Sequence, residues 1–203
     1  SWKSAPGSVI ASCVYDGETY EARQEQAGWD SPAFDDAKWV AANVVEPPGG
    51  VLKAHIIPPI RVVDHIRPVA VSNPTSRTYV FDMGQNFAGW ARLTVKGPRG
   101  TRITLRYAED LKPDGTIDVK SNERALATDV YVLKGGGREV YEPRFTFHGI
   151  RYVELTGCPG TPDRDTLLGC VVHSDCETAG EFVCDNELIN RIHAATRWSQ
   201  RSN

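Results

Sequence analysis

The chain has 203 residues, and its 23 Lys and Arg against 26 Asp and Glu give a formal net charge of −3. A mildly acidic chain without a basic block does not have the clustered positive charge that a phosphate backbone requires, so we expect no nucleic-acid partner. No apolar run approaches the roughly 20 residues needed to cross a bilayer, so we expect no membrane partner either.

The first sixty residues differ in pattern from the rest. Residues 29–39 are rich in aromatic side chains and are typical of a loop that packs onto a sheet. Proline and glycine breakers at residues 47–50 and 58–59 indicate a boundary in this region. Because about fifty residues make a poor core of their own, we predict residues 1–60 to be the end of a preceding β-domain together with a linker.

Between residues 60 and 175, short runs rich in Val, Ile, Thr and Tyr are separated by Gly, Pro and Asn. The strand candidates are residues 79–81, 91–95, 102–107, 129–133, 145–147, 152–155 and 167–173. The runs 91–95 and 102–107, joined by a Gly-Pro turn, predict a β-hairpin. Short strands without helical patterns between them predict a mainly β fold, a jelly-roll-like antiparallel β-sandwich over residues 61–178.

The hydrophobic period changes near the C-terminus. Asn186 is a suitable helix N-cap. The side chains that recur at the spacing of one helix face are Leu188, Ile192, Ala195 and Ser199. We predict residues 179–203 to be a linker ending in an α-helix. Since the chain starts without an initiator Met or an apolar signal core, we expect it to be an internal part of a longer protein.

The chain contains five cysteines, and an odd count does not fit a disulfide framework, which favours a cytoplasmic, reducing compartment over a secreted one. Four residues within a short stretch could serve as zinc ligands: Cys170, His173, Cys176 and Cys184. They lack the short Cys-x-x-Cys turns of common zinc sites, and alternate side chains of a strand point to opposite faces. We therefore predict no metal and no cofactor.

Several stretches, taken in order, resemble a known family. They are residues 17–23 (GETYEAR), 81–90 (FDMGQNFAGW), 106–115 (RYAEDLKPDG), 147–154 (FHGIRYVE), 172–175 (VHSD) and 198–201 (WSQR). Together they resemble the non-catalytic β-domains of bacterial α-L-rhamnosidases, glycoside hydrolase family 78. The order and spacing of the stretches agree with the family over nearly the whole chain.

The resemblance implies a layout and a chemistry. Residues 1–60 would end an N-terminal carbohydrate-binding-like domain, 61–178 would be the central sandwich, and 179–203 would lead into a catalytic α/α-barrel. The family hydrolyses terminal α-L-rhamnose from glycosides with inversion, using a pair of carboxyl groups on the barrel. Neither of these two carboxyl groups can be assigned to a residue of this chain. The resemblance thus implies a non-catalytic part, with the barrel of the same parent chain and, through the parent enzyme, rhamnose-containing glycans as partners.

Five residues are candidate sugar contacts. Gln85, Asn86 and Trp90 suit this role because amides hydrogen-bond ring hydroxyls and an indole face covers the apolar side of a pyranose. The alternative for residues 84–90 is a turn between strands, with Trp90 in the core. Glu18 and Arg23 could also face the sugar or the barrel, or Arg23 could bind a carboxylate inside the domain.

Three functions follow from these observations and stay open. The chain could be an inert accessory part of a rhamnosidase, a carbohydrate-binding module that binds rhamnosides directly, or a spacer that positions the barrel.

The carboxylates that could form an active pair are Asp82, Glu109, Asp110, Glu142 and Glu154. Because strand carboxylates usually face solvent, we predict no catalytic residue among them. His148 is interpreted as a buried histidine that donates to a backbone carbonyl.

Overall fold

The computed structural model describes residues 2–202, in which fourteen strands and one α-helix are found. The elements are β1 (Lys3–Ser4), β2 (Val9–Cys13), β3 (Gly17–Glu21), β4 (Val40–Ala41), β5 (Ile60–Ile66), β6 (Ala70–Thr75), β7 (Thr78–Lys96), β8 (Arg102–Ala108), β9 (Asp110–Leu111), β10 (Ile117–Asp118), β11 (Thr128–Val132), β12 (Arg138–Tyr141), β13 (His148–Thr156), β14 (Leu167–Ser174) and α1 (Glu187–Arg201). The predicted mainly β fold with a C-terminal helix is confirmed.

The long strand β7 belongs to both layers of the sandwich. Its first half pairs with β13 and β6, and its second half pairs with β14 and β12. The first layer continues from β13 through β8 and β11 to β3 and β2, whereas the second continues from β14 to β5. One curled sheet of ten strands therefore forms both faces of the core.

The core lies between these two layers. Alternate side chains of β7 point into it, as the period of a strand requires: Phe81, Met83, Phe87, Ala91, Leu93 and Val95 are at most 6% exposed. They pack against apolar side chains of β8 and β13, among them Ile103, Leu105, Ile150 and Leu155. Burying a large apolar side chain contributes roughly 1.5–3 kcal/mol, so this cluster is the main source of stability.

The predicted hairpin between residues 91–95 and 102–107 is wrong. β7 and β8 are consecutive in the chain, but β13 lies between them and pairs with both. The turn at residues 97–100 is instead hydrogen-bonded to the residue that follows β11. The Gly100 N–H donates to the Leu133 carbonyl at 2.8 Å. Local sequence specified the turn, and a distant segment supplied the partners of its flanking strands.

Two further local predictions are also wrong. Residues 84–90 are not a turn, because they continue β7 without interruption. Residues 145–147 are not a strand and lie in the loop before β13, where Phe145 is 68% and Phe147 is 47% exposed. A short apolar run such as 145–147 has the same pattern in a strand of a sheet as in a loop that lines a surface depression, so the pattern does not distinguish the two.

Strands β2 and β3 extend the large sheet across the boundary that the sequence indicates near residue 60. β3 runs parallel to β11, with Tyr20 opposite Tyr131, so the sheet is not wholly antiparallel. A parallel neighbour needs a long crossover, and the chain between the two strands provides it. The division of the chain into domains stays a prediction.

The protein exposes 13,789 Å² of surface, compared with the roughly 9,400 Å² expected for a compact monomer of this mass. Residues 42–59, which form neither strand nor helix, are exposed throughout. In this segment Val44, Leu52 and Ile56 are more than 90% exposed. Within residues 2–202, no helix is both long and apolar enough to cross a membrane.

Candidate functional site

A cavity of about 770 Å³ opens between the middle of β7 and α1. One side is lined by Gln85 and Asn86 of β7 and by Phe147 of the loop before β13. The other side is lined by Arg191 and Trp198 of α1. Two of the five predicted sugar contacts therefore share one cavity. The other three lie elsewhere in the fold.

The polar wall of the cavity is formed by an amide and a carboxylate. Asn86 Nδ2 donates to Oε1 of Glu109 at 3.1 Å, and Gln85 Nε2 donates to the backbone carbonyl of Asn86 at 2.7 Å. Glu109 in turn lies against Gly149, where a Cβ atom would come within 3.1 Å of its Oε1. The arrangement places side by side two groups that hydrogen-bond sugar hydroxyls.

Gly89 allows β7 to pass from one layer to the other directly after this wall. It pairs with His148 of β13 and with Val171 of β14. A Cβ atom here would overlap the carbonyl oxygen of Cys170, so only glycine permits the close approach of the two backbones.

Helix α1 forms the opposite wall and begins as predicted. Asn186 Oδ1 accepts from the Leu188 N–H at 3.0 Å and from the Ile189 N–H at 3.4 Å. Trp198 is half-buried and packs against the core. Leu188 and Ile192, however, remain 64% and 56% exposed, so the predicted apolar face meets the sandwich only towards its C-terminal end.

Trp90 lies outside the cavity, in a polar cluster around Glu142. Its Nε1 donates to Glu142 Oε2 at 2.8 Å, and Arg92 Nε donates to Oε1 at 2.6 Å. Burial by itself would raise the pKa of Glu142, but the hydrogen bonds from Trp90 and Arg92 outweigh it and lower that pKa. The ring of Trp90 is half-buried, and its indole N–H is already used within the protein.

Glu18 lies in the interior and is 1% exposed. Its Oε1 accepts from the Tyr141 hydroxyl at 3.2 Å, and its Oε2 accepts from the Arg144 N–H at 3.0 Å. Burial raises the pKa of this carboxyl group. In this position Glu18 ties β3 to β12 and to the loop that follows it.

Arg23 binds a carboxylate, as one of its two predicted alternatives states. Its Nε and Nη2 donate to the two carboxylate oxygens of Glu21 at 2.6 and 2.5 Å. These hydrogen bonds lower the pKa of Glu21. Because the Arg23 side chain is 42% exposed, the pair contributes only modest stability. Contact with a sugar stays a prediction for this residue.

A buried group around Asp129 was missed by sequence reasoning. Asp129 Oδ2 accepts from the Tyr107 hydroxyl at 2.8 Å, and both carboxylate oxygens lie 3.3 Å from His148 Nε2. The rings of Tyr107 and His148 stack with their centroids 4.3 Å apart. His148 is buried as predicted, but its partner is a carboxylate. An acidic residue at the start of an otherwise apolar strand was the available signal.

Three of the five candidate carboxylates are held by arginines. The pairs are Asp82–Arg151 at 3.3 Å, Glu142–Arg92 at 2.6 Å and Glu154–Arg106 at 2.9 Å. For Glu142, the hydrogen bonds from Trp90 and Arg92 lower the pKa of the carboxyl group, whereas a glycosidase's general acid must hold a proton. These pairs are suited to cross-linking neighbouring strands.

The cysteines do not assemble into a site. All five are free thiols. Cys170 is buried with its Sγ 3.7 Å from Glu142 Oε2, and desolvation raises its pKa to about 12. Nδ1 of His173 lies 2.7 Å from the carbonyl oxygen of Ser174. In the described part of the chain, no three His, Cys, Asp or Glu side chains are grouped so that they could hold a metal ion.

Two family models match the chain. Residues 72–173 match the bacterial alpha-L-rhamnosidase concanavalin-like domain, and residues 1–64 match the alpha-L-rhamnosidase N-terminal domain. The first match by itself covers half of the chain.

Known proteins resemble the chain over its full length. The alpha-L-rhamnosidase of Streptomyces avermitilis is 43% identical, and its crystal structure complexed with L-rhamnose matches with a TM-score of 0.96. The alpha-L-rhamnosidases from Dictyoglumus thermophilum and Aspergillus terreus match at 48% and 38% identity, with TM-scores of 0.98 and 0.93. Each match covers 100% of this chain but only 20%, 23% and 24% of the respective structure. The chain thus spans about a fifth of the length of the curated relatives it matches. It belongs to the bacterial α-L-rhamnosidase family.

Proposed function

We propose that the chain supplies the accessory β-region of an α-L-rhamnosidase, an enzyme that releases terminal α-L-rhamnose with inversion, and that it is itself non-catalytic. The observation that carries the proposal is the 43–48% identity over the entire chain to rhamnosidases of which it covers 20–23%. The ion pairs of Asp82, Glu142 and Glu154 support it, because each carboxylate already binds an arginine of the same chain.

The partner in this proposal is the α/α-barrel of the same parent protein. Apolar side chains on and before α1 offer it a surface, because Leu188, Ile192 and Val183 are 64%, 56% and 82% exposed. Covering such a surface stabilises a complex by roughly 25 cal/mol per Å² of apolar area.

A chimera tests the accessory role. This chain replaces the matching segment of the Streptomyces avermitilis enzyme, and hydrolysis of 4-nitrophenyl α-L-rhamnoside is measured. We expect the chimera to be active and the 203-residue chain alone to release no nitrophenol above the blank. A folded but inactive chimera would contradict the accessory role, and turnover by the chain alone would contradict its non-catalytic nature.

A second candidate function is direct binding of rhamnosides. The cavity beside α1 favours it, because Gln85 and Asn86 meet Trp198 there. Trp90, Glu18 and Arg23 are the remaining predicted contacts, and they lie outside this cavity. Calorimetry with L-rhamnose tests a single site, and an isotherm that Asn86→Ala abolishes would establish it. For an accessory part without such a site, no saturable heat is expected at millimolar sugar.

A further inference from the structure

Three neighbouring cavities share lining residues, and we call the surface that they form together the edge trough. The cavity beside α1 shares Glu109 and Phe147 with a second cavity of about 220 Å³. The second cavity shares Tyr15 and Asn122 with a third cavity of about 470 Å³. The edge trough thus runs from α1 past the start of β13 to the end of β2.

Each section of the edge trough contains an aromatic ring. Trp198 lines the first section, Phe147 lines the junction of the first and second, and Tyr15 lines the junction of the second and third. Phe147 and Tyr15 are 47% and 72% exposed, so their rings are available to a ligand. A single exposed aromatic residue needs no explanation, but three along one depression indicate a binding surface. Aromatic faces cover the apolar sides of sugar rings.

Polar groups accompany the rings. Asn86 and Glu109 form the hydrogen-bonded pair of the first section. Asn122 in the second section is held in place because its Nδ2 donates to the Tyr107 carbonyl at 2.8 Å. Side-chain amides and carboxylates of this kind hydrogen-bond the hydroxyl groups of a neutral sugar.

The charges along the edge trough are nearly balanced. The acidic side chains are Asp16, Glu109 and Glu123, and the basic ones are Arg124 and Arg191. A polyanion such as a nucleic acid or a polyuronate would need clustered positive charge, which this surface does not offer. The balance favours an uncharged ligand.

The floor of the edge trough is well packed. His148 lines the second section and is held from below by Asp129, while its ring stacks on Tyr107. Gly149 lines both of the first two sections, and a side chain there would press on Glu109. A surface that is already ordered loses little conformational freedom on binding, which favours affinity.

We propose that the edge trough binds a neutral oligosaccharide of at least three units, with one sugar ring against each of its three aromatic side chains. The inference rests on the accessory role proposed above and goes beyond the single-rhamnose site, because it names the ligand as a glycan chain. One sugar would fill a single section, whereas a longer chain would engage several sections at once. Affinity should therefore depend on ligand length.

Calorimetry with α-linked L-rhamno-oligosaccharides of one, two and four units tests the proposal on the 203-residue chain. We expect no saturable heat with the monosaccharide at millimolar concentration and at least a tenfold gain in affinity from the disaccharide to the tetrasaccharide. Phe147→Ala should weaken tetrasaccharide binding at least tenfold. Phe182→Ala is the matched control, because Phe182 is 49% exposed and lines none of the three cavities.

Affinity that does not change with length, or an equal loss in both phenylalanine variants, would overturn the proposal. If Phe147→Ala lowers the thermal midpoint, Tyr15→Ala provides the same comparison at a more exposed ring. Binding by the chain but not by the active chimera would mean that polypeptide covers the edge trough in the enzyme, which also overturns it. The chimera's activity reports separately on the accessory role, so the two failures are distinguishable.

Discussion

In the interior of the sandwich, the carboxylate of Asp129 lies 3.3 Å from Nε2 of His148. The same carboxylate accepts from the Tyr107 hydroxyl and from the backbone N–H of Glu18. Asp129 is fully buried and joins β11 to β3, β8 and β13. Its role is to satisfy donors from elements that are distant in the chain.

Replacing Asp129 should therefore be costly. Asp129→Ala leaves several buried donors without an acceptor, and we expect a loss of about 3–5 kcal/mol in the free energy of unfolding. Urea denaturation at neutral pH measures it. Asp30→Ala, at an exposed position, should stay within about 0.5 kcal/mol of the wild type. Equal, small effects of the two substitutions would show that the Asp129 cluster is not a structural centre.

The buried carboxyl group of Glu18 should make stability fall with rising pH. Burial raises its pKa in the folded state above the unfolded value of about 4.3, so its contribution is fully present below that value and is lost as the pH rises through the folded pKa. In Glu18→Gln this titration is absent. In chemical unfolding, the stability of this variant relative to wild type should improve as the pH rises above about 4.3. Glu46→Gln, at an exposed position, should show no such trend. A pH-independent difference for Glu18→Gln would rule the effect out.

Glu142 should show the opposite dependence. Its pKa is lowered in the folded state, so its contribution is present above the unfolded value of about 4.3 and is lost as the pH falls through the folded pKa. Glu142→Gln should cost about 1 kcal/mol at pH 7, because the side chain is partly exposed. The cost should shrink at acidic pH, as followed by urea unfolding monitored through tryptophan fluorescence. A cost that grows on acidification would contradict the assignment.

Gly89 should tolerate no side chain. In Gly89→Ala the new methyl group would overlap the Cys170 carbonyl oxygen, so β7 and β14 would have to separate. We expect a loss of about 1–3 kcal/mol, seen as a fall in the thermal midpoint of several degrees. Gly180→Ala, with nothing within 4 Å of the added atom, is the control and should leave the midpoint unchanged. Equal midpoints for both variants would mean that the backbones are not closely packed there.

The candidate site was only partly predictable. Gln85 and Asn86 could be selected because amides in an aromatic-rich stretch suit sugar contact, and both lie in the cavity beside α1. Trp90, only a few residues further on, lies in a different cluster because β7 changes layers at Gly89. No sequence pattern predicts that change, since it depends on where β13 and β14 meet the strand. For the same reason, the sequence did not predict that the fold buries Glu18.

Sequence by itself determined the mainly β character, the helix that begins after Asn186 and, through the order of its motifs, the family. Each of these depends on residues that interact within a few positions or on patterns that repeat along the chain. The tertiary structure decided that β13 separates β7 from β8 and that Asp129 meets His148. Strand pairing and buried polar contacts join segments that are remote in sequence. Which segments meet depends on how the whole core packs rather than on any local preference.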